Sequence, residues 1–275
     1  MKKTLNAATL FMMLMTLFSF RGNSENTTEE DASILGMVLL EEANSLDQDG
    51  VFADLEKTWN LKITSKETSD VASVFTINGY SVVVASMDVP IPGDEVKKTA
   101  EYSYFWPNGI TEAPKHKGHV IVSIMNAGKD PIKENILFNQ VAGAVLKNSK
   151  STGFYMGGRS LLLKKEFYLA NMERMSKQDL PVGNWVYFGF REENNKRSVY
   201  TYGLADFGKQ EMEIVNSAKS LEDLSLIIYD ITHYVLAYDV TLNHGETIGM
   251  TAEQKLPITE SEGRYLEGNT LKIEY

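Results

Sequence analysis

SVFTINGYSVVVA, residues 73–85, decides how the rest of the chain is read. Two runs with alternating apolar residues, Ser73–Ile77 and Tyr80–Ala85, flank Asn78-Gly79. A two-residue type I′ turn needs positive φ at both central positions, and asparagine followed by glycine meets that need at little steric cost. The stretch therefore predicts an antiparallel hairpin. Upstream, ILGMVLL (34–40) has the composition of a buried strand, and Val51, Phe52, Leu55 and Trp59 recur at helical spacing behind Asp49-Gly50. Downstream, Pro90 and Pro92 break the chain, and Asp94 is placed to cap a helix running toward Trp106. After a loop at 107–117, HVIVSIM (119–125) reads as another buried strand. The order is β-α-β-β-α-β, that of a ferredoxin-like split βαβ arrangement.

The second half gives a similar order. Residues 131–148 predict a helix with Pro131 in its first turn, 153–156 a short strand, and 165–175 a helix. Residues 185–191 and 198–202 predict a second hairpin across 192–197, and 211–215 a further strand. A long helix at 221–238 carries Leu224, Ile227, Ile228, Ile231 and Val235 on one side, and strands follow at 247–250, 256–259 and 271–275. The predicted class is α+β: mixed and antiparallel sheets with packed helices, in two ferredoxin-like βαββαβ halves from a diverged duplication that no residue repetition marks. Nothing between the halves has the composition of a flexible linker, so residues 33–275 are expected to form a single α+β domain.

The chain has 275 residues, 43% of them hydrophobic and 23% charged, which is the composition of a globular protein with a sizeable core. Its formal net charge of −10 repels phosphate backbones and argues against nucleic acid as a partner. The basic triplet Lys115-His116-Lys117 reads as a solvated turn. The absence of cysteine removes disulfides, thiolate metal sites and cysteine nucleophiles together. Lys2 and Lys3 precede an apolar run from Ala7 to Phe18, the pattern of a secretory signal, and the run is shorter than the roughly 20 apolar residues a membrane span needs. Residues 1–20 are therefore read as a signal-peptide-like segment and 21–32, RGNSENTTEEDA, as a polar linker. The expected location is the cell envelope of an exporting bacterium. No small-x-small pair follows the run, so the competing reading is a cytoplasmic protein with an uncleaved start, and membrane contact is expected through this segment alone.

VPIPGDEV (89–96), Trp106-Pro107, HKGHVIVSI (116–124), GFYMGG (153–158), LPVGNWVYFGF (180–190), VYTYGLADFGKQEMEI (199–214) and GETIGMT (245–251) occur in an order that resembles the bacterial proteins grouped as domain of unknown function 4261. The likeness spans most of residues 34–275. The resemblance implies a single α+β domain and supplies no catalytic residues. It also implies a cytoplasmic protein, from which the signal-like start departs.

SLDQDGVFADLE (45–56) follows the spacing of a calcium loop, with oxygen donors at Ser45, Asp47 and Asp49, a glycine at 50, and Glu56 in the closing position. The preceding segment reads as a strand and not a helix, so helix capping by the same oxygens is the favoured account. His116 and His119 form H-x-x-H, but His119 opens a strand, where positions three apart face opposite ways. Backbone bonding of both imidazoles is favoured over a metal site. Gly157-Gly158-Arg159-Ser160 is not a nucleophile elbow, and no phosphate-binding glycine loop occurs. Glu41-Glu42 and Glu192-Glu193 read as solvated strand ends, and Glu246 as a turn residue. No catalytic, cofactor-binding or metal residue is assigned. One surface stands out: Trp185 and Tyr187 on one strand face, with Tyr200 and Tyr202 on the partner strand, would form an aromatic platform for a protein or ligand if no helix covered them. The favoured function is accordingly a non-enzymatic binding or interaction protein with an unidentified protein partner. The alternative is a hydrolase whose dispersed site uses His119 or Glu246.

Overall fold

The computed structural model describes residues 32–176, 179–251 and 253–275. The signal-like segment 1–20 and nearly all of the linker 21–32 lie outside the described residues. The fold is α+β, with two sheets and six α-helices among the described residues. The chain divides into two compact units: residues up to 157 with 162–169, and residues 158–161 with 170–275.

The first unit is built on a sheet of β1 (Ile34–Leu40), β2 (Ile63–Thr68), β3 (Ala72–Ile77), β4 (Tyr80–Met87), β5 (Gly118–Met125), β6 (Ser151–Met156) and β7 (Leu161–Lys164), in the order β2-β3-β4-β5-β1-β6-β7. The hairpin at its origin is as expected. Ile77 opposes Tyr80, and Asn78 and Gly79 have φ of 52° and 86°. Helices α1 (Gln48–Lys57), α2 (Glu95–Ala100), α3 (Gly109–Glu112) and α4 (Pro131–Lys147) complete the unit. Asp130 caps α4 by accepting from the Lys133 amide at 3.1 Å, and Pro131 occupies the first turn, where its missing N–H leaves no bond unmade. Gly36 lets α4 come close: a Cβ there would sit 2.9 Å from the Phe138 ring and closer still to Phe154. The opposite face carries Leu39, packed with Ile91, Val96, Trp106 and Leu162. β5 is covered on both faces, which explains its uninterrupted apolar run.

The first unit differs from the sequence expectation in three places. The helix entered at Asp94 stops at Ala100, Asp94 makes no side-chain cap bond, and α3 lies inside the stretch read as a loop. β2 and β7 were not foreseen. β2, ITSKET, is a polar edge strand bent at Ser65 (φ 50°), so it offers no apolar period to read. Finally, the first sheet does not take the ferredoxin-like order. A split βαβ joins two parallel strands with another strand between them, whereas β4 and β5, joined through α2 and α3, are antiparallel neighbours, Ser81 opposite Met125.

The chain passes to the second unit within α5 (Lys165–Arg174). That unit comprises β8 (Tyr187–Glu193), β9 (Lys196–Tyr202), β10 (Met212–Ser217), α6 (Leu221–Ala237), β11 (Thr247–Ile248), β12 (Leu256–Glu262) and β13 (Asn269–Ile273). The sheet order is β11-β12-β13-β10-β9-β8, with β10 and β13 parallel and the other pairs antiparallel. The two sheets thus differ in strand order and in the sense of pairing. β8 and β9 turn at Asn194-Asn195, φ 51° and 60°, a tighter turn than the predicted six-residue loop. Ser220 and Asp223 form a capping box at the start of α6. Register places Phe188, Val199, Ile214, Leu271 and Ile258 on one face, and α6 lies there, with the Tyr229 ring 6.1 Å from that of Phe188.

Candidate interaction surface

The other face of the second sheet is polar and aromatic. Alternation along the strands gathers Tyr187 and Arg191 of β8, Ser198, Tyr200 and Tyr202 of β9, Glu213 of β10 and Lys272 of β13. Tyr187 opposes Tyr202, and Gly189 opposes Tyr200, whose ring crosses the place where a Cβ on Gly189 would stand. The loop 263–268 is laid over this face. The Tyr265 ring stacks on Tyr200 with centroids 5.5 Å apart and 22° between planes, and its hydroxyl bonds Ser198 at 3.0 Å. Glu213, 0% exposed, anchors the loop: it accepts from the Arg264 and Tyr265 amides, each at 2.9 Å, and pairs with Lys272 Nζ at 3.1 Å. Burial pushes the Glu213 carboxyl up, but the two amides and the ammonium outweigh it and hold it below the ordinary value. Arg191 lies 5.5 Å over the Tyr200 ring and donates to its hydroxyl at 3.2 Å.

Of the four aromatic residues expected to form a platform, three lie on this face. Tyr200 is buried beneath Tyr265, Tyr187 is half-buried, and Tyr202 is 37% exposed. Trp185 does not join them. It ends a 3-10 turn at Val182–Asn184, ahead of β8, and is buried against Phe207 with centroids 5.7 Å apart. Its Nε1 has no hydrogen-bond partner among the described residues. Period-2 reading could have placed Arg191 and Glu213 beside Tyr200. Tyr265 lies in a loop, where no periodicity points to it.

The four imidazoles all bond backbone. His116 Nδ1–H donates to Ala113 O at 2.7 Å while its Nε2 accepts from the Ile91 amide at 2.8 Å, which specifies the neutral tautomer. His119 Nδ1 donates to Val89 O at 2.9 Å, His233 Nε2 accepts from the Leu180 amide, and His244 Nδ1 accepts from the Glu260 amide. Burial lowers the pKa of His116 and His119, against the opposing effect of their carbonyl partners. The unfolded chain therefore binds more protons once pH falls below about 6.5. Stability present above that pH is lost as pH falls toward the depressed folded values. Between pH 7.5 and 5.5 the urea midpoint should fall, and a His116→Asn/His119→Asn variant should show a flatter pH profile, whatever its absolute stability.

The calcium-loop spacing is taken up by a helix. α1 begins at Gln48, Asp47 accepts from the Gly50 amide at 3.0 Å as its N-cap, and Ser45 Oγ accepts from the Lys150 amide at 3.2 Å. Glu56 lies nine residues further along, about 13 Å at 1.5 Å per helical residue. No group of three His, Asp or Glu converges to hold a metal among the described residues. Asp47→Ala should lower stability by about 1 kcal/mol, by the same amount with and without millimolar calcium, in chemical denaturation. Glu246 accepts from the Asn243 amide at 2.8 Å and from the Asn243 side chain at 3.2 Å, within its own turn. Glu42 pairs with Lys150 and Glu192 with Arg197, both at the surface.

Residues 200–274, from β9 through α6 to β13, match the family described as domain of unknown function DUF4261. The family read from the ordered motifs is thus the one found, over the segment that includes YTYGLADFGKQEMEI and GETIGMT. That description assigns no activity. No curated protein and no solved structure matches the chain significantly.

Proposed function

We propose that this chain is a non-enzymatic interaction protein, and that the polar face of the second sheet, rimmed by Tyr187 and Tyr202, meets its partner. The observation that carries the reading is the asymmetry of that sheet. Its apolar face is closed by α6, while the opposite face presents tyrosines, Arg191 and an anchored loop. Tyrosine and arginine combine large contact area with a polar tip, which suits them to binding surfaces. The engagement of the imidazoles with backbone supports a binding role over the hydrolase alternative. The internal bonding of Glu246 supports it too. The basic, apolar start of the chain favours a partner in the cell envelope, and the intact mass of the purified chain tests that part.

The test of the surface is photo-crosslinking in the protein's own cells. p-Benzoylphenylalanine at position 202 should give one discrete adduct, which Arg191→Ala weakens at least fivefold. The same probe at Tyr102 of the first unit serves as the control. Adducts that are identical at both positions would sink the proposal.

A further inference from the structure

We infer that the outer stripe of α6 is a second, separate docking site, built for a basic amphipathic segment of a partner protein. Glu222, Leu226, Asp230, Tyr234 and Tyr238 stand at four-residue intervals, so they form one inclined ridge, which turns about 40° round the helix at each step and ends at the C-cap. Leu226 is 60% exposed, Tyr234 44% and Tyr238 69%. The two tyrosine rings lie 5.6 Å apart. The inner side of the same helix is already filled by Leu224, Ile227, Ile228, Ile231 and Val235. A helix that packs on one side normally turns charged residues to water on the other; this ridge sets exposed Leu226 and two tyrosines among its acidic residues, a surface suited to a crossing helix.

Charge selects the occupant. Residues 221–238 contain no lysine or arginine, and Asp239 follows them. Asp223 is spent in the capping box, and Asp239 is paired with Lys209 at 2.7 Å. The cations around the helix are engaged: Lys209 with Asp239, Lys219 over the Tyr275 ring, and Arg174 with Asn171. Glu222 and Asp230 are exposed, and neither has an ion pair among the described residues. They flank Leu226 at one turn on either side. Leucine or aromatic anchors on a partner helix would cover Leu226, Tyr234 and Tyr238, while its lysines or arginines meet Glu222 and Asp230. A second copy of this chain is disfavoured, since it would set acidic stripe against acidic stripe on a protein of net charge −10. An anionic lipid surface is disfavoured on the same ground.

The site stands independently of the tyrosine face, and its test uses different residues. The probe is a fluorescein-labelled 14-residue amphipathic peptide of leucine and lysine, titrated with the full chain at 150 mM salt and read by anisotropy. It should bind, and Leu226→Ser/Tyr238→Ser should weaken it at least tenfold. Asp230→Lys should weaken it similarly while creating affinity for the leucine–glutamate counterpart. Ile110→Ser, an exposed apolar change on α3, should leave binding unaltered. No binding, or equal binding by the α6 variants, overturns the inference. So does a self-association, or co-sedimentation with phosphatidylglycerol vesicles, that Leu226→Ser abolishes, because the stripe would then serve a second copy or a membrane.

Discussion

Glu213→Ala should destabilise the second unit by about 3–5 kcal/mol, the range for removing one partner of a buried pair. The substitution leaves the amides of Arg264 and Tyr265 without their acceptor and removes the only carboxylate paired with Lys272 among the described residues. Lys272 keeps Glu262 O at 2.9 Å, which places the expectation toward the lower end of that range. The loop should then lift from Tyr200. Hydrogen exchange at residues 264 and 265 should accelerate more than exchange along β9. Glu213→Leu combined with Lys272→Leu removes both charges and should lose less than the single alanine variant, because no unpaired ammonium remains. Urea denaturation followed by circular dichroism measures both variants; a loss below about 1 kcal/mol for Glu213→Ala would contradict the anchoring role. Acid should act on the same group. Its carboxyl is held below the ordinary value, so the stability it contributes is present above about pH 4 and is lost as pH falls through the lowered value.

Trp106→Ala should be as damaging to the first unit, by about 3–5 kcal/mol. The indole is buried among Leu39, Ile91, Val96 and Ala113, and its Nε1 donates to Glu112 at 2.7 Å. It also lies against Gly153, where a Cβ would strike both the ring and the Leu163 carbonyl, 2.5 Å away. Trp106→Phe should lose less, since it keeps part of the ring. Gly153→Val should be severe for the converse reason, because it drives a branched side chain into a space that backbone defines. Thermal unfolding compares the three. If Trp106→Ala melts within 2 °C of the parent chain, the indole is not the centre of this cluster.

These two sites show what a single sequence discloses. Trp106 and Gly153 both fell within motifs that carried the family resemblance, yet nothing in their spacing said that one covers the other. The hairpin at Asn78-Gly79 was legible because its chemistry is local. The helix at 221–238 was legible because its apolar residues keep helical period over seventeen positions. Strand order was not legible: β4 and β5 are joined through thirty residues, and whether they pair parallel or antiparallel depends on contacts far apart in the chain. Trp185 was placed on the wrong face because alternation was extended back through a residue with helical backbone, φ −115° and ψ −34°. Tyr187, Tyr200 and Tyr202 share a sheet face, as strand alternation alone requires. Its cover, Tyr265, depends on a carboxylate fifty-two positions away.

The place of β13 has a consequence for how the protein is made. It is the last strand of its sheet in chain order, yet it sits in the interior, parallel to β10 on one side and antiparallel to β12 on the other. Until residues 269–273 take their place, β8-β9-β10 and β11-β12 have no strand to join them. The strand edges of β10 and β12 stay bare during that interval, and the Glu213 carboxylate waits for Lys272. A chain that lacks residues 269–273 would therefore carry two open sheet fragments, and quality control would meet a sticky product.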